Sequence, residues 1–132
     1  MEITQIPYVY KDANGYGQQS DIYLAGSLSR QVVKDIKAKL NDGTDFIPYD
    51  LGLGIEELQG RMSSAPNIDS DHPFHELLIE ERTLLPEAPE GAQVIAVDDF
   101  VRAFSNIANK DGWDEPSAMR RLGLADSEGE AP

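Results

Sequence analysis

The sequence predicts an α+β fold: a small antiparallel sheet of about four strands, with two or three helices packed mainly on one face. Three observations lead to this class. The first 25 residues alternate around an Asn-Gly pair as a β-hairpin does, and a second alternating segment begins near residue 74. Apolar residues recur at helical spacing after each of these two regions.

Length and composition fit a single domain over residues 1–125. The chain has 132 residues, 40% of them hydrophobic, and no cysteine. The lack of cysteine excludes disulfides, thiolate zinc sites and a cysteine nucleophile, and it agrees with a cytoplasmic location. No apolar run approaches the roughly 18 residues of a membrane span, and no secretory signal is expected. Residues 126–132 are expected to form a disordered acidic tail.

The first two strands are predicted from Asn14-Gly15, a pair that suits the two positive-φ positions of a tight turn. With a two-residue turn, Val9 faces Ser20 across the hairpin. Alternation then places Val9 on the core face together with Ile22 and Leu24. The same register turns three tyrosines outward: Tyr8, Tyr10 and Tyr23. The sequence therefore predicts an exposed tyrosine face, and tyrosine is favoured at protein interfaces.

A helix is predicted after the hairpin, with Ser29 as its N-cap and Gly43 just past its end. Four residues form its apolar stripe: Val32, Val33, Ile36 and Leu40. The segment that follows contains Pro48 and further glycines, which argues against a long element. It is predicted to hold a short strand or turn at Phe46-Ile47 and one or two helical turns at Ile55–Gln59.

A second pair of strands is predicted further along the chain. The segment FHELLIEERT, residues 74–83, alternates with His75 on its apolar face and with Glu76 and Glu80 on the opposite face. The segment QVIAV, residues 93–97, is typical of a short strand. Loops are predicted before and between these two segments.

Two helices complete the predicted fold. The first starts at Asp98 or Asp99, and the second is capped by Asp114, carries Pro116 in its first turn and ends at Gly123. The apolar faces of all elements together predict one contiguous core: Val9, Ile22, Leu24, Val33, Ile36, Leu40, Leu77, Ile79, Phe100, Val101 and Phe104.

Charge is the strongest compositional signal. The chain has a net charge of −13, and residues 41–81 hold ten acidic residues but one basic residue, Arg61. Such a field repels phosphate backbones, so direct binding to nucleic acid is not expected. It would speed the encounter with a basic protein partner. An acidic surface also keeps proteins from aggregating, so charge alone fits either role.

The segment NIDSDHPFHELLIEERT, residues 67–83, holds both histidines of the chain and predicts one of two local structures. In the first, His72 and His75 bind a divalent metal such as zinc, with Asp69 or Asp71 as the third ligand. The H-x-x-H spacing is a weak signal for such a site. A strand also points His75 and Glu76 to opposite faces, so these two would not readily bind the same ion.

The second possibility, which we expect, is a hydrogen-bonded corner without an ion. Asp71 would form the turn ahead of Pro73. His75 would lie partly buried beside Leu77, with its ring fixed by a carboxylate or a tyrosine hydroxyl. A carboxylate there would raise the pKa of His75.

Other catalytic signatures give little support. With 24 acidic residues in the chain, some pair of carboxylates always has the spacing of an acid–base pair, so such a pair is uninformative. The glycine clusters lack the G-x-G-x-x-G spacing of a phosphate loop, and no serine lies in a G-x-S-x-G context. An enzyme is thus less expected than a binding protein.

Three segments carry a resemblance to a known group: YVYKDANGY, DGTDFIPYDLGL…ELQ and DSDHPFHELLIEERT. They resemble a group of small uncharacterised bacterial proteins with a Y-K-D-A-(D)-N-Y start and a D-H-x-x-H-E segment. The chain departs from this pattern at Gly15 and Gly17. The group has no known activity, so the resemblance assigns no catalytic residue. It implies that seven residues belong to one local assembly: Tyr10, Lys11, Asp12, Asp71, His72, His75 and Glu76.

These observations favour an acidic bacterial protein-binding module without a cofactor. It would act as an immunity protein, antitoxin or inhibitor that caps a basic partner. The binding residues are predicted from the tyrosine face and the acids around it: Tyr8, Tyr10, Asp12, Tyr23, Asp71, Glu76 and Glu80. One alternative is a metal-binding protein or metal-dependent enzyme that uses His72, His75 and Asp71. The other is a DNA mimic that inhibits a nucleic-acid enzyme.

Overall fold

The computed structural model describes residues 2–11, 17–58, 72–109 and 112–121, and its α+β architecture confirms the predicted class. The strands are β1 (Ile3–Lys11), β2 (Gly17–Ala25), β3 (Asp45–Phe46), β4 (His75–Leu77), β5 (Thr83–Leu85) and β6 (Val94–Ala96). The helices are α1 (Arg30–Lys39), α2 (Val97–Asn109) and α3 (Glu115–Arg121), with 3₁₀ helices at Pro48–Leu51 and Ile79–Glu81.

The sheet is larger than the predicted four strands, and it is mixed rather than purely antiparallel. The described strands form a six-stranded sheet in the order β3-β4-β1-β2-β6, and β5 also pairs with β1. Strand β1 pairs with β2 over its whole length, and with β4 and β5 along its other edge. Strand β6 runs parallel to β2. One extra strand arises because the predicted strand 74–83 is interrupted by the 3₁₀ helix Ile79–Glu81, and the other is β3, which overlaps the short strand or turn predicted at Phe46-Ile47.

The hairpin forms, but its predicted register is wrong by one residue. Tyr8 pairs with Ser20, and Lys11 pairs with Gly17, so five residues rather than two connect the strands. A shift of one residue moves every side chain of one strand to the opposite face. Tyr8 and Tyr10 therefore lie in the core beside Ile22, and Val9 lies on the opposite face of the sheet. The predicted turn at 14–15 lies outside the described residues.

The helices begin at the predicted residues or within one residue of them. The Ser29 hydroxyl accepts a hydrogen bond from the Val32 N–H at 3.2 Å, and the Asp114 carboxylate accepts one from Ser117 at 3.1 Å. Helix α2 begins at Val97, one residue before the earlier of its two predicted starts. Its first turn then holds Asp98 and Asp99, where negative charge suits the helix dipole. The predicted end of α3 at residue 123 lies outside the described part.

One buried cluster joins the sheet to α1 and α2, as predicted. It contains nine of the predicted core residues, namely Ile22, Leu24, Val33, Ile36, Leu40, Leu77, Ile79, Phe100 and Phe104, and Val101 packs against it. Val9 is the error, for the register reason given above. Of the segment predicted to form helical turns, Ile55–Gln59, residues 55–57 are not helical, Leu58 has 3₁₀ geometry, and Gln59 lies outside the described residues. None of the described helices is long and apolar enough to cross a membrane, and the predicted tail, 126–132, lies outside the described residues.

Candidate functional site

The buried histidine at the start of β4 is held by the backbone on both sides of its ring. His75 is only 1% exposed. The N–H of Leu58 donates to its Nε2 at 2.9 Å, so Nε2 carries the lone pair. The ring proton therefore lies on Nδ1, which is 3.3 Å from the carbonyl oxygen of Pro73. This arrangement holds His75 as a neutral imidazole.

The protonation of His75 differs from the prediction. Burial lowers the pKa of His75 to about 4, and the positive charge of a protonated His72 would lower it further, while the hydrogen bond to Pro73 opposes this change. Neither a carboxylate nor a tyrosine hydroxyl fixes the ring in the described residues. The predicted rise of the His75 pKa is thus wrong. The expected carboxylate would have raised the pKa, but burial of the ring lowers it.

The second histidine, His72, links β1 to the segment around His75. We call this region, with its two histidines, the histidine corner. The Nε2 of His72 lies 2.7 Å from the carbonyl oxygen of Lys11, and its Nδ1 accepts the N–H of Phe74 at 3.1 Å. The Tyr10 ring packs between the two imidazoles, with centroids 5.1 Å from His72 and 5.3 Å from His75. The expected association of the hairpin with the histidine segment is therefore present for these residues.

This corner gives little support to a metal site. In the tautomers above, the lone pair of each histidine already accepts a backbone N–H, so a metal ion would have to displace both hydrogen bonds. Within the described ranges no group of three or more potential ligands is found. The proposed third ligands, Asp69 and Asp71, and the expected turn at Asp71 all lie outside the described residues.

A different set of side chains lies on the sheet face opposite α1 and α2, which we call the outer face. Among the partly exposed residues that strand alternation places there are Gln5, Pro7, Val9, Asp21, Tyr23, Asp45 and Glu76. Tyr23 is the single member of the predicted tyrosine face that lies on it. Its hydroxyl accepts a hydrogen bond from Gln5 at 3.5 Å. The outer face thus combines apolar surface with three carboxylates.

Two of these carboxylates lie directly opposite each other on neighbouring strands. Asp45 pairs with Glu76 in the register of β3 and β4. The Asp45 backbone bonds to Asn41 instead of to β4, so this is the close, non-hydrogen-bonded type of pair, with Cα atoms roughly 4.5 Å apart. Thr44 donates to Asp45 at 3.0 Å, but no described basic residue forms an ion pair with either carboxylate. Like charges in this position oppose folding.

The remaining predicted binding residues are dispersed. Glu80 is exposed on the helix side of the sheet, where it pairs with Lys37 at 3.3 Å. Tyr8 is buried, and its hydroxyl donates to the carbonyl oxygen of Glu56 at 2.8 Å. Tyr10 is also buried, and Asp12 and Asp71 lie outside the described residues. The structure therefore brings Tyr23 and Glu76 to one surface and separates both from Glu80.

A cavity of about 770 Å³ lies between the 3₁₀ helix Pro48–Leu51, the end of α2 and the start of α3. Among the described residues, its polar and aromatic lining consists of Tyr49, Asp50, Trp113 and Asp114. The Trp113 ring is fixed because its Nε1 donates to the carbonyl oxygen of Lys39 at 3.2 Å. Its ring also packs edge-on against two phenylalanines of the core. The cavity thus has one rigid aromatic wall.

The two aspartates of the cavity are adjacent. Asp50 accepts the backbone N–H of Asp114 at 2.8 Å. Burial raises the pKa of the Asp50 carboxyl, and the negative charges of Asp114 and Glu57 raise it as well. The hydrogen bond from the Asp114 backbone and the positive charge of Arg121 act in the opposite direction. Hydrogen bonds from Ser117 lower the pKa of Asp114. The cavity therefore holds two close carboxylates in different environments.

Sequence reasoning missed this cavity. A possible signal was the repeated dipeptide of an aromatic residue followed by aspartate, Tyr49-Asp50 and Trp113-Asp114, each next to a turn. Their distance along the chain hid their proximity. Known proteins offer no further guide: neither a family model, nor a curated protein, nor a solved structure matches the chain.

Proposed function

We propose that this protein is an acidic binding module that caps a basic protein partner through its outer face. The facing carboxylates of Asp45 and Glu76 carry the proposal. A like-charge pair across two strands lowers stability and contributes nothing to the packing of the core. A lysine or arginine of a partner, placed between these carboxylates, would convert the repulsion into attraction.

The surroundings of this pair suit a protein interface. Val9 lies beside Glu76 in the register of β1 and β4, and Asp21 and Tyr23 follow on β2. Apolar and aromatic area next to carboxylates provides both hydrophobic contact and charge recognition. Lys11 is the one basic residue that alternation places on the described outer face. The net charge of −13 would also attract a basic partner over a longer range.

An immunity protein, antitoxin or inhibitor is the form of this function that we favour, acting in the cytoplasm and without catalysis or a cofactor. In each case the acidic face would cover a basic surface that the partner needs for its own activity. A partner that normally binds nucleic acid would make the protein a DNA mimic, which is one outcome of the experiment below. The metal-dependent alternative with His72 and His75 is less favoured, because their lone pairs are in use.

The proposal can be tested by affinity capture from the extract of the native cell. The double variant Asp45→Asn/Glu76→Gln removes the two facing charges with little change in shape. The matched control Glu87→Gln/Glu90→Gln removes two charges from an exposed loop. We expect the wild type and the control to capture the same basic protein and the double variant to lose most of it. Capture of an acidic protein, or equal capture by both variants, would contradict the proposal.

A further inference from the structure

The rim of the cavity already shows how this protein holds a guanidinium group. The Arg121 guanidinium carbon lies 3.9 Å from the centroid of the Tyr49 ring, in a cation–π arrangement. Both of its terminal nitrogens donate to the carboxylate of Glu57. An aromatic face with a carboxylate at its edge is thus an occupied arginine site of this fold.

The lining of the cavity repeats this combination. Trp113 supplies the aromatic surface, and Asp50 and Asp114 supply the carboxylates. Among the described residues, the backbone N–H of Asp114 is the hydrogen-bond donor to Asp50, and it occupies one carboxylate oxygen. The described bases nearby have their own contacts, since Arg121 pairs with Glu57 and Arg120 bonds Ser117 at 3.1 Å. Asp50 therefore offers its other carboxylate oxygen to a cation, and the exposed Asp114 carboxylate beside it also accepts the Ser117 N–H as the cap of α3.

The size and chemistry of the cavity fit an arginine side chain better than a small ion. Its volume of about 770 Å³ lies within the range of pockets that bind organic ligands. A planar guanidinium group can stack on the indole of Trp113 and donate to two carboxylates at the same time, because its donors form a rigid fork. The ammonium of lysine has the charge but cannot stack as a plane.

We propose that the cavity binds the guanidinium group of an arginine side chain, stacked on Trp113 and hydrogen-bonded to Asp50 and Asp114. This inference rests on the proposed function, because it takes the basic partner as the source of the arginine. The outer face would attract the basic partner through its charge, and the cavity would add a specific site for one arginine side chain of that partner. Aromatic and arginine anchors carry much of the binding free energy at protein interfaces.

Trp113 is the only tryptophan of the chain, so its indole N–H gives one resolved reporter in the cavity. The test is a nuclear magnetic resonance titration of the ¹⁵N-labelled full chain with three probes: N-acetyl-arginine amide, its uncharged isostere N-acetyl-citrulline amide, and N-acetyl-lysine amide. We expect a saturable shift of the indole signal with arginine, and affinities at least about tenfold lower for the other two. An equal response to citrulline, or no saturable response to arginine, would overturn the proposal.

Variants separate the cavity from the outer face. Asp50→Asn should weaken arginine binding about tenfold, because it replaces a charge-assisted hydrogen bond by a neutral one. Asp21→Asn, on the outer face, should leave the titration unchanged, and thermal melts of both variants check that they fold. Arginine binding that is equal in Asp50→Asn and wild type would overturn the assignment. If capture of a basic protein fails while arginine binds, the proposed function is wrong and the cavity site stands; the reverse result rejects the cavity alone.

Discussion

The histidine corner and the outer face differ in whether their polar groups have complementary partners within the described part of the chain. In the corner, both ring nitrogens of His72 and His75 lie within hydrogen-bond distance of backbone groups. On the outer face, Asp45 and Glu76 face each other without a described cation between them. The corner serves the fold, because its hydrogen bonds satisfy buried groups. The acid pair opposes the fold, which is why we propose that it is used in contacts beyond the chain.

The largest expected effect on stability comes from removing the His75 side chain from the histidine corner. His75→Ala should lower the free energy of unfolding by about 4 kcal/mol, because it leaves a cavity and a buried Leu58 N–H without its acceptor. His72→Ala is the comparison, since its ring is only partly buried, and we expect a loss of about 1 kcal/mol. Urea unfolding at pH 7 measures both. Equal losses would mean that burial does not distinguish the two histidines.

The next effect is a pH dependence that belongs to His75. Its pKa falls from 6.5 to about 4 on folding, so the unfolded chain takes up the proton first as the pH decreases. The stability that depends on neutral His75 is present above pH 6.5 and is lost as the pH falls toward 4, by about 3 kcal/mol in total.

The variant His75→Gln isolates this dependence, because its side-chain oxygen can accept the Leu58 N–H without titrating. We expect the free energy of unfolding of the wild type to fall more steeply between pH 6.5 and 4 than that of the variant. Comparing the two slopes cancels the contribution of the many carboxylates. Parallel slopes would contradict the assignment of a buried neutral His75.

A smaller effect of opposite sign is expected on the outer face. Asp45→Asn or Glu76→Gln should each raise the free energy of unfolding by about 0.5 kcal/mol, because each removes a cross-strand repulsion. Glu87→Gln, in an exposed loop, serves as the control for the change in net charge. Urea unfolding at low salt measures the difference, which salt should reduce. A loss of stability in both variants would assign the pair a structural role.

The smallest effect concerns metal. Treatment with a chelator should leave the melting temperature of the wild type unchanged, because the histidine lone pairs are already hydrogen-bonded. Elemental analysis of the purified protein provides the second measurement. A melting temperature that falls on chelation in the wild type, but not in His72→Ala, would support the metal-dependent alternative.

Local signals in the sequence predicted most of the elements, and pairing between strands explains the error in the faces of the hairpin residues. The cap at Ser29 and the placement of His75 on the same face as Leu77 depend on neighbours in sequence, so both were predictable, although His75 is more deeply buried than expected. The faces of Tyr8 and Tyr10 depend on the hairpin register, and one residue of difference reversed them. In the structure both tyrosines share the core face of the sheet with the apolar residues Ile22 and Leu24 of β2.

The candidate sites were harder to predict because their members are distant along the chain. Glu76 was predicted as a binding residue, but Asp45 was not. The two lie together because two short strands pair, and neither strand carries a sequence signal for that register. Asp50 and Asp114 meet through the packing of α3 beside a 3₁₀ helix. Such proximity is a tertiary property, and alternation or helical spacing does not encode it.

The most direct test of the central claim is the affinity for the captured basic partner, measured by calorimetry at low and at physiological salt. We predict that Asp45→Asn/Glu76→Gln weakens binding about tenfold or more, and that Glu87→Gln/Glu90→Gln, with the same net charge, weakens it far less. Equal weakening by the two variants would show that binding depends on net charge alone, and it would contradict the assignment of the outer face as the binding site.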